Sequence, residues 1–256
     1  MAKNNKNNKS QLILRYFIKL SFKGTNYHGW QVQDNAVSVQ SVLDHALSLL
    51  LKENIVSTGA GRTDTGVHAK EFYAHFDTIE EKKIDTNLIG RLNIFLPKDI
   101  TVFSIYSVNE KLHARFDAIA RTYEYHIHLK KDPFLDQLSN YVYKKLDVAK
   151  MNEAAQLLVQ YKDFKCFSKS RTQVNNFICD IKSAEWKQED HRLIFTIKAN
   201  RFLRNMVRAI VGTLLEIGSE EITIEDLKKI IESGDRSNAG ESVAACGLYL
   251  TKIDYH

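Results

Sequence analysis

Nine consecutive residues, Gly61-Arg62-Thr63-Asp64-Thr65-Gly66-Val67-His68-Ala69, concentrate this chain's capacity for chemistry. They set a carboxylate, a cation, two hydroxyls and two glycines in one short stretch. An ionised carboxylate can attack a carbon covalently or take a proton from a reacting group. Arg62, two positions from Asp64, would hold that carboxylate ionised. Gly61 and Gly66 are expected to take backbone angles that other residues avoid and to let a substrate approach the backbone. An isolated aspartate in a glycine-containing turn more often accepts from nearby backbone N–H groups; the adjacent cation tips the reading towards chemistry. His68 is expected to be a structural hydrogen-bonder.

The elements around this stretch are expected to hold it rigidly. Ile55 and Val56 read as the end of one strand. Phe72, Ala74 and Phe76 alternate with Tyr73 and His75 as the next, so Asp64 falls in a tight connection between strands. Such loops commonly carry catalytic residues. Before it, residues 12–22 alternate, with Tyr16, Ile18, Leu20 and Phe22 on one parity. Ser38 is placed to cap a helix whose buried stripe is Val39, Val42, Leu43, Ala46, Leu47 and Leu50. A second helix spans 86–95, stopped by Pro97, and a strand closes at 100–108. The sum is the split β-α-β-β-α-β order.

A similar order recurs. RTYEYHIHL (121–129) alternates as a strand, Asp147 caps a helix to about residue 160, and strands follow near 177–187 and 192–199. A long helix is expected from about 201 to 217, ending at Gly218. Thr223 and Asp226 form a capping pair for a helix stopped at Gly234. A last strand covers 247–254. The predicted organisation is a polar, disordered tail at 1–10, an N-terminal α+β half at 11–110 carrying the Asp64 loop, and a C-terminal α+β half at 111–256.

The chain has 256 residues, 44% of them apolar and 10% aromatic, which suits a folded globular protein rather than a disordered one. No apolar run is long enough to span a membrane, and MAKNNKNNKS lacks the apolar core of a secretory signal. Cys166, Cys179 and Cys246 suggest neither a disulfide framework nor a zinc site and fit a reducing cytosol. The net charge of +5 is mild; its distribution says more. Arg201, Arg204 and Arg208 fall at helical spacing, expected on one helix face. Lys162, Lys165, Lys169 and Arg171 surround Phe164 and Phe167, a mix that suits phosphates and unstacked bases.

GRTDTGVHA closely resembles the signature of the TruA family of tRNA pseudouridine synthases. FKGTNYHGWQVQ (22–33), AHFDT (74–78), HARFDAIARTYEYHI (113–127), ANRFLRNMVRAIVGTLLEIG (199–218) and GLYLTKIDY (247–255) resemble further blocks of that family, in order along the chain. The resemblance implies a pseudouridine synthase fold: two ferredoxin-like, RRM-like βαββαβ halves whose antiparallel sheets join around a central active-site cleft. It also implies a homodimer, a cytoplasmic setting, and a tRNA substrate modified at positions 38–40 of the anticodon stem-loop after the base is flipped out. The implied catalytic carboxylate is Asp64, with Arg208 as its ion-pair partner and Tyr123 stacked on the target base. Arg62 is a candidate to hold Asp64 or to fill the gap left by the flipped uridine. Arg115, Arg201 and Arg204 are candidates for substrate binding.

The implied reaction breaks N1–C1′, turns the base and rejoins it through C5, so no metal or redox cofactor is implied. The chain accordingly has no P-loop, no HExxH and no Rossmann glycine fingerprint. Two departures from the family pattern are Thr65, where alanine is commoner, and the proline-free ESVAAC (241–246), expected to touch no site role. Two rival readings remain at this stage. Asp64-Thr65-Gly66 spells the aspartic-protease triplet, although an adjacent arginine works against two carboxylates sharing a proton. An RNA-binding module without catalysis also suits the βαββαβ order.

Overall fold

A computed structural model describes residues 13–79, 84–170 and 175–256. The N-terminal tail and Arg171 lie outside the described residues. One nine-stranded mixed sheet runs through the molecule. In chain order the elements are β1 (Leu14–Phe22), α1 (Val39–Leu51), β2 (Thr58–Gly59), β3 (His68–Thr78), α2 (Thr86–Phe95), β4 (Ile100–Val108), β5 (Ala120–His128), β6 (Asn140–Tyr141), α3 (Val148–Leu157), β7 (Ile181–Glu189), β8 (Arg192–Ala199), α4 (Met206–Gly218), α5 (Ile224–Ser233) and β9 (Leu248–Asp254).

The main strand order is β4-β1-β3-β9-β5-β8-β7, with β2 on β3 and β6 on β5. Strands from the first part of the chain therefore gather at one end of the sheet and those from the second part at the other. They meet in the short parallel ladder of β3 and β9, His68 opposite Tyr249 and Ala69 opposite Leu250. Two apolar clusters follow this division. Tyr16, Ile18, Leu20, Phe72 and Phe76 pack with Leu43 and Leu47 of α1 and Leu92 of α2. Tyr125, Ile127, Trp186 and Phe195 pack with α3, α4 and α5. Tyr123 touches both.

The helix starts follow their caps. Ser38 accepts from Ser41 N, Asp85 from Leu88 N, Asp147 from Lys150 N, and Thr223 forms a full capping box with Asp226. Two expectations shift. Ile55 and Val56 are irregular backbone, and the strand before the loop is only Thr58–Gly59, paired with Ala74 and His75. The long helix begins at Met206, because Asn205 takes a left-handed conformation at φ 68°, so Arg201 and Arg204 lie in the approach segment and not on the helix face. No helix among the described residues is long and apolar enough to cross a membrane.

Candidate active site

The Asp64 loop is pinned at both ends. At its start, Ala60 is fully buried and its N–H donates to Tyr73 O (2.7 Å). At its end, Gly66 sits at φ +80°, a conformation that only glycine takes cheaply, and its N–H donates to Tyr27 O. Gly61 has an ordinary φ and open space where a Cβ would stand, so the expected backbone demand falls on Gly66 alone. His68 is the anchor beyond. Its Nδ1 accepts from Gly24 N (3.0 Å), which leaves Nε2 to carry the proton and donate to Cys246 O (3.1 Å). Burial holds the imidazole pKa down, and the ring stacks on Tyr249. The expected structural role of His68 matches this geometry.

Asp64 faces an open cleft of about 580 Å³ lined also by Thr65, Lys169, Ser170, Arg204, Asn205, Arg208 and Arg236. Arg208 Nη1 lies 3.6 Å from Asp64 Oδ2 and Arg204 Nε 3.5 Å from Oδ1. These separations are within ion-pair range but longer than a hydrogen bond, so the carboxylate keeps lone pairs for a substrate. The two arginines are held differently. Arg208 is 21% exposed and its Nε donates to Val243 O (2.7 Å), while Arg204 is 60% exposed.

Arg62 is exposed, and the ion pairs that Asp64 makes among the described residues go to Arg204 and Arg208 instead. The expectation that Arg62 holds Asp64 is thus corrected: cations from the α4 side occupy that carboxylate. Tyr123 is half-buried and edge-on to Phe202, ring centres 5.1 Å apart, where the β5–β9 register slips between Thr122 and Tyr123. Burial pushes its phenol up to about 12; Arg121 opposes that rise and the nearby Asp64 carboxylate adds to it. Tyr125, by contrast, is a fully buried core residue with its hydroxyl donating to Ala244 O. Arg115 is exposed with its guanidinium over the Phe116 ring, and Arg201 is half-buried; neither lines the cleft.

Phe164 and Phe167, expected as base platforms, are fully buried core residues, and Lys162 is paired with Asp180. From that basic cluster only Lys169 reaches the cleft among the described residues. Three contributors escaped the sequence reading. Asn205 and Arg236 converge on the Ser242 hydroxyl, to which Asn205 Nδ2 and Arg236 Nη2 both donate. Arg121 holds the backbone on which the loop begins. Its signal was available: a charged residue on the same strand parity as Tyr125 and Ile127. ESVAAC, expected to be silent, carries both Ser242 and Val243. The DTG triplet also loses its protease reading, since that chemistry needs a second carboxylate and Asp64 is the one carboxylate among the described lining residues, with two arginines beside it.

A family model described as tRNA pseudouridine synthase matches residues 154–256. The chain is 50% identical to tRNA pseudouridine synthase A of Bacteroides thetaiotaomicron, over 94% of this chain and 90% of that one. The protein of the same name from Bacteroides fragilis is 49% identical over 95% of this chain and 97% of its own length. One from Francisella tularensis subsp. novicida is 36% identical over 94% and 93%.

Proposed function

The chain belongs to the tRNA pseudouridine synthase A family, whose members isomerise tRNA uridines, and from that premise we propose that it acts at positions 38, 39 and 40 of the anticodon stem-loop with Asp64 as the catalytic carboxylate. The observation that carries the residue assignment is Asp64 set between Arg204 and Arg208 at the wall of a cationic cleft.

The bond changes balance within the substrate. N1–C1′ breaks, the freed base turns, C5 bonds to C1′, the C5 proton leaves to solvent and N1 is protonated. Asp64 supplies the carboxylate beside the sugar, either bonding covalently to it or taking a proton from it. Arg208, anchored by Val243 O, is the positioned partner that aims this carboxylate. Tyr123, at the meeting of the two clusters, offers a ring on which the detached base rests while it turns; such stacking is worth roughly 1–3 kcal/mol per base. Arg62, exposed and free of Asp64, suits the role of filling the gap left by the flipped nucleotide. Arg201, Arg204 and Arg115 are assigned to the RNA backbone.

We further read the chain as two βαββαβ halves, 11–110 and 111–256, joined around the cleft. The strand orders β4-β1-β3-β2 and β9-β5-β8-β7 support that reading, since both follow the split βαβ pattern. A homodimer and a cytoplasmic location complete the proposal on family grounds.

The test is tRNA tritiated at uridine C5, incubated with wild type and with Asp64→Ala. Release by wild type alone, with tRNA binding retained by the variant, is expected. Equal release from both would move the catalytic carboxylate elsewhere. Binding without release by wild type would make the chain an RNA-binding protein.

A further inference from the structure

Arg121 stands on β5, two residues before Tyr123. Its guanidinium donates to Ala60 O and Arg115 O, each at 2.8 Å, to Asn200 O at 3.2 Å and, at the long end, to Ala118 O at 3.4 Å. All four acceptors are backbone carbonyls. Burial is what most opposes its charge; the Tyr123 and Tyr255 phenols favour that charge, and two cations, Arg115 and Arg201, oppose it. A half-buried cation held by carbonyl dipoles is a costly way to make a contact that a neutral side chain could make.

The acceptors explain the cost. Ala60 is the residue immediately before the Asp64 loop. Arg115 and Ala118 belong to the exposed turn that precedes β5. Asn200 opens the approach segment that carries Arg204 and leads to Arg208 on α4. One planar fork therefore ties three stretches of chain, remote in sequence, that carry the carboxylate, its two cations and a candidate RNA contact. A guanidinium suits this task because its donors diverge in a fixed plane, whereas an ammonium is a single point on a flexible stem.

We propose that Arg121 is a positioning residue for the isomerisation: by holding Ala60 O and Asn200 O on one guanidinium it sets the separation between Asp64 and the Arg204/Arg208 pair. The inference rests on the assignment of Asp64 as catalytic carboxylate. It is distinct from a fold-stabilising role, because the loss it predicts falls on turnover in a protein that still folds and still binds tRNA. A displacement of about 1 Å at a reacting group can cost on the order of 100-fold in rate.

The test compares wild type, Arg121→Lys and Arg121→Ala, each checked for cooperative thermal unfolding, for tRNA affinity and for tritium release from C5-labelled tRNA under saturating substrate. The expected result is retained tRNA affinity with kcat reduced on the order of 100-fold in both variants. Added guanidinium ion is expected to restore part of the kcat of Arg121→Ala, and added methylammonium is not. Arg121→Lys, which keeps the charge and most of the stem, keeps the question open to measurement if the alanine variant does not fold. The proposal is overturned if folded Arg121→Lys turns over at the wild-type rate. It is equally overturned if the loss lies in tRNA affinity alone, or if methylammonium restores Arg121→Ala as well as guanidinium does. Failure of wild type to release tritium would instead remove the reading of Asp64 on which the inference rests.

Discussion

Gly212 lies within α4, where replacing glycine by alanine ordinarily stabilises a helix by about 1 kcal/mol. The structure predicts the opposite sign here. A Cβ at Gly212 would stand 1.8 Å from Glu241 O, a backbone atom. An ordinary C···O contact is about 3.3 Å, so the 239–243 strap would have to retreat by roughly 1.5 Å. That strap is bonded to α4 on both sides of the clash. Gly240 N donates to Thr213 Oγ1 at 2.9 Å, and Val243 O accepts from Arg208 Nε at 2.7 Å. A retreat of that size breaks both. One neutral bond at about 1 kcal/mol and one charge-assisted bond at about 2 kcal/mol, offset by the helix gain, leave a net loss of roughly 2 kcal/mol. For a chain of this size that lowers Tm by about 4–8 °C.

Gly90 supplies the control. It is an exposed position inside α2 with nothing within contact of an added Cβ, so Gly90→Ala is expected to stabilise by about 1 kcal/mol. The assays are thermal unfolding and single-turnover tritium release. Gly212→Ala is also expected to lower kcat about tenfold or more, because Arg208 loses the carbonyl that aims it. A Gly212→Ala protein with a raised Tm and an unchanged kcat would refute the argument that the strap orients Arg208.

Arg208→Ala is expected to cost on the order of 100-fold in kcat, and Arg204→Ala about fivefold or less, because the first guanidinium is anchored and half-buried while the second is largely in solvent; equal losses in steady-state turnover would contradict this. His75 is buried, with Nδ1 accepting from Ala114 N, and burial, helped by the Arg15 charge, pushes its pKa down to about 4. The unfolded chain, with an ordinary value of about 6.5, binds the extra proton between those limits. Stability is therefore full above about pH 6.5 and falls as pH drops towards 4, by up to about 3 kcal/mol. His75→Gln should shrink the difference in urea midpoint between about pH 7 and pH 5, and an unchanged difference would exclude His75 as its source.

The elements were legible where a local rule sets them. Ser38, Asp85, Asp147 and Thr223 each bond a backbone N–H three residues on, so helix starts could be read from residue type alone. The start of α4 could not, because apolar periodicity at Leu203, Met206 and Val207 records burial and not backbone angle, and the turn at Asn205 leaves that pattern intact. Alternation likewise placed Phe72, Ala74 and Phe76 in the core but missed Phe17, which is buried on the other parity against His75 and Tyr255. At the site, Asp64 and Arg208 were accessible through resemblance. Arg236 and Asn205 were not, because what joins them is a shared bond to Ser242, and no spacing rule encodes a contact between residues so far apart in the chain.

The way the arginines are held decides what the cleft can do. Four cations, Lys169, Arg204, Arg208 and Arg236, face one carboxylate among the described lining residues. Arg208 is oriented by Val243 O, Arg236 by Ala239 O and Ser242, and Arg121 behind them by four carbonyls. Carbonyl dipoles fix a guanidinium in place without cancelling its charge. Had acidic side chains done the same work, each cation would have been neutralised and the cleft would carry little field towards a polyanion. Anchoring by backbone thus serves two needs at once. It leaves positive charge for the phosphates of an RNA strand, and it holds Arg208 at ion-pair range of Asp64 without closing on it. A carboxylate clamped by short bidentate bonds would be engaged; Asp64, with the anchored Arg208 and the largely exposed Arg204 at ion-pair range, keeps acceptor lone pairs for a substrate.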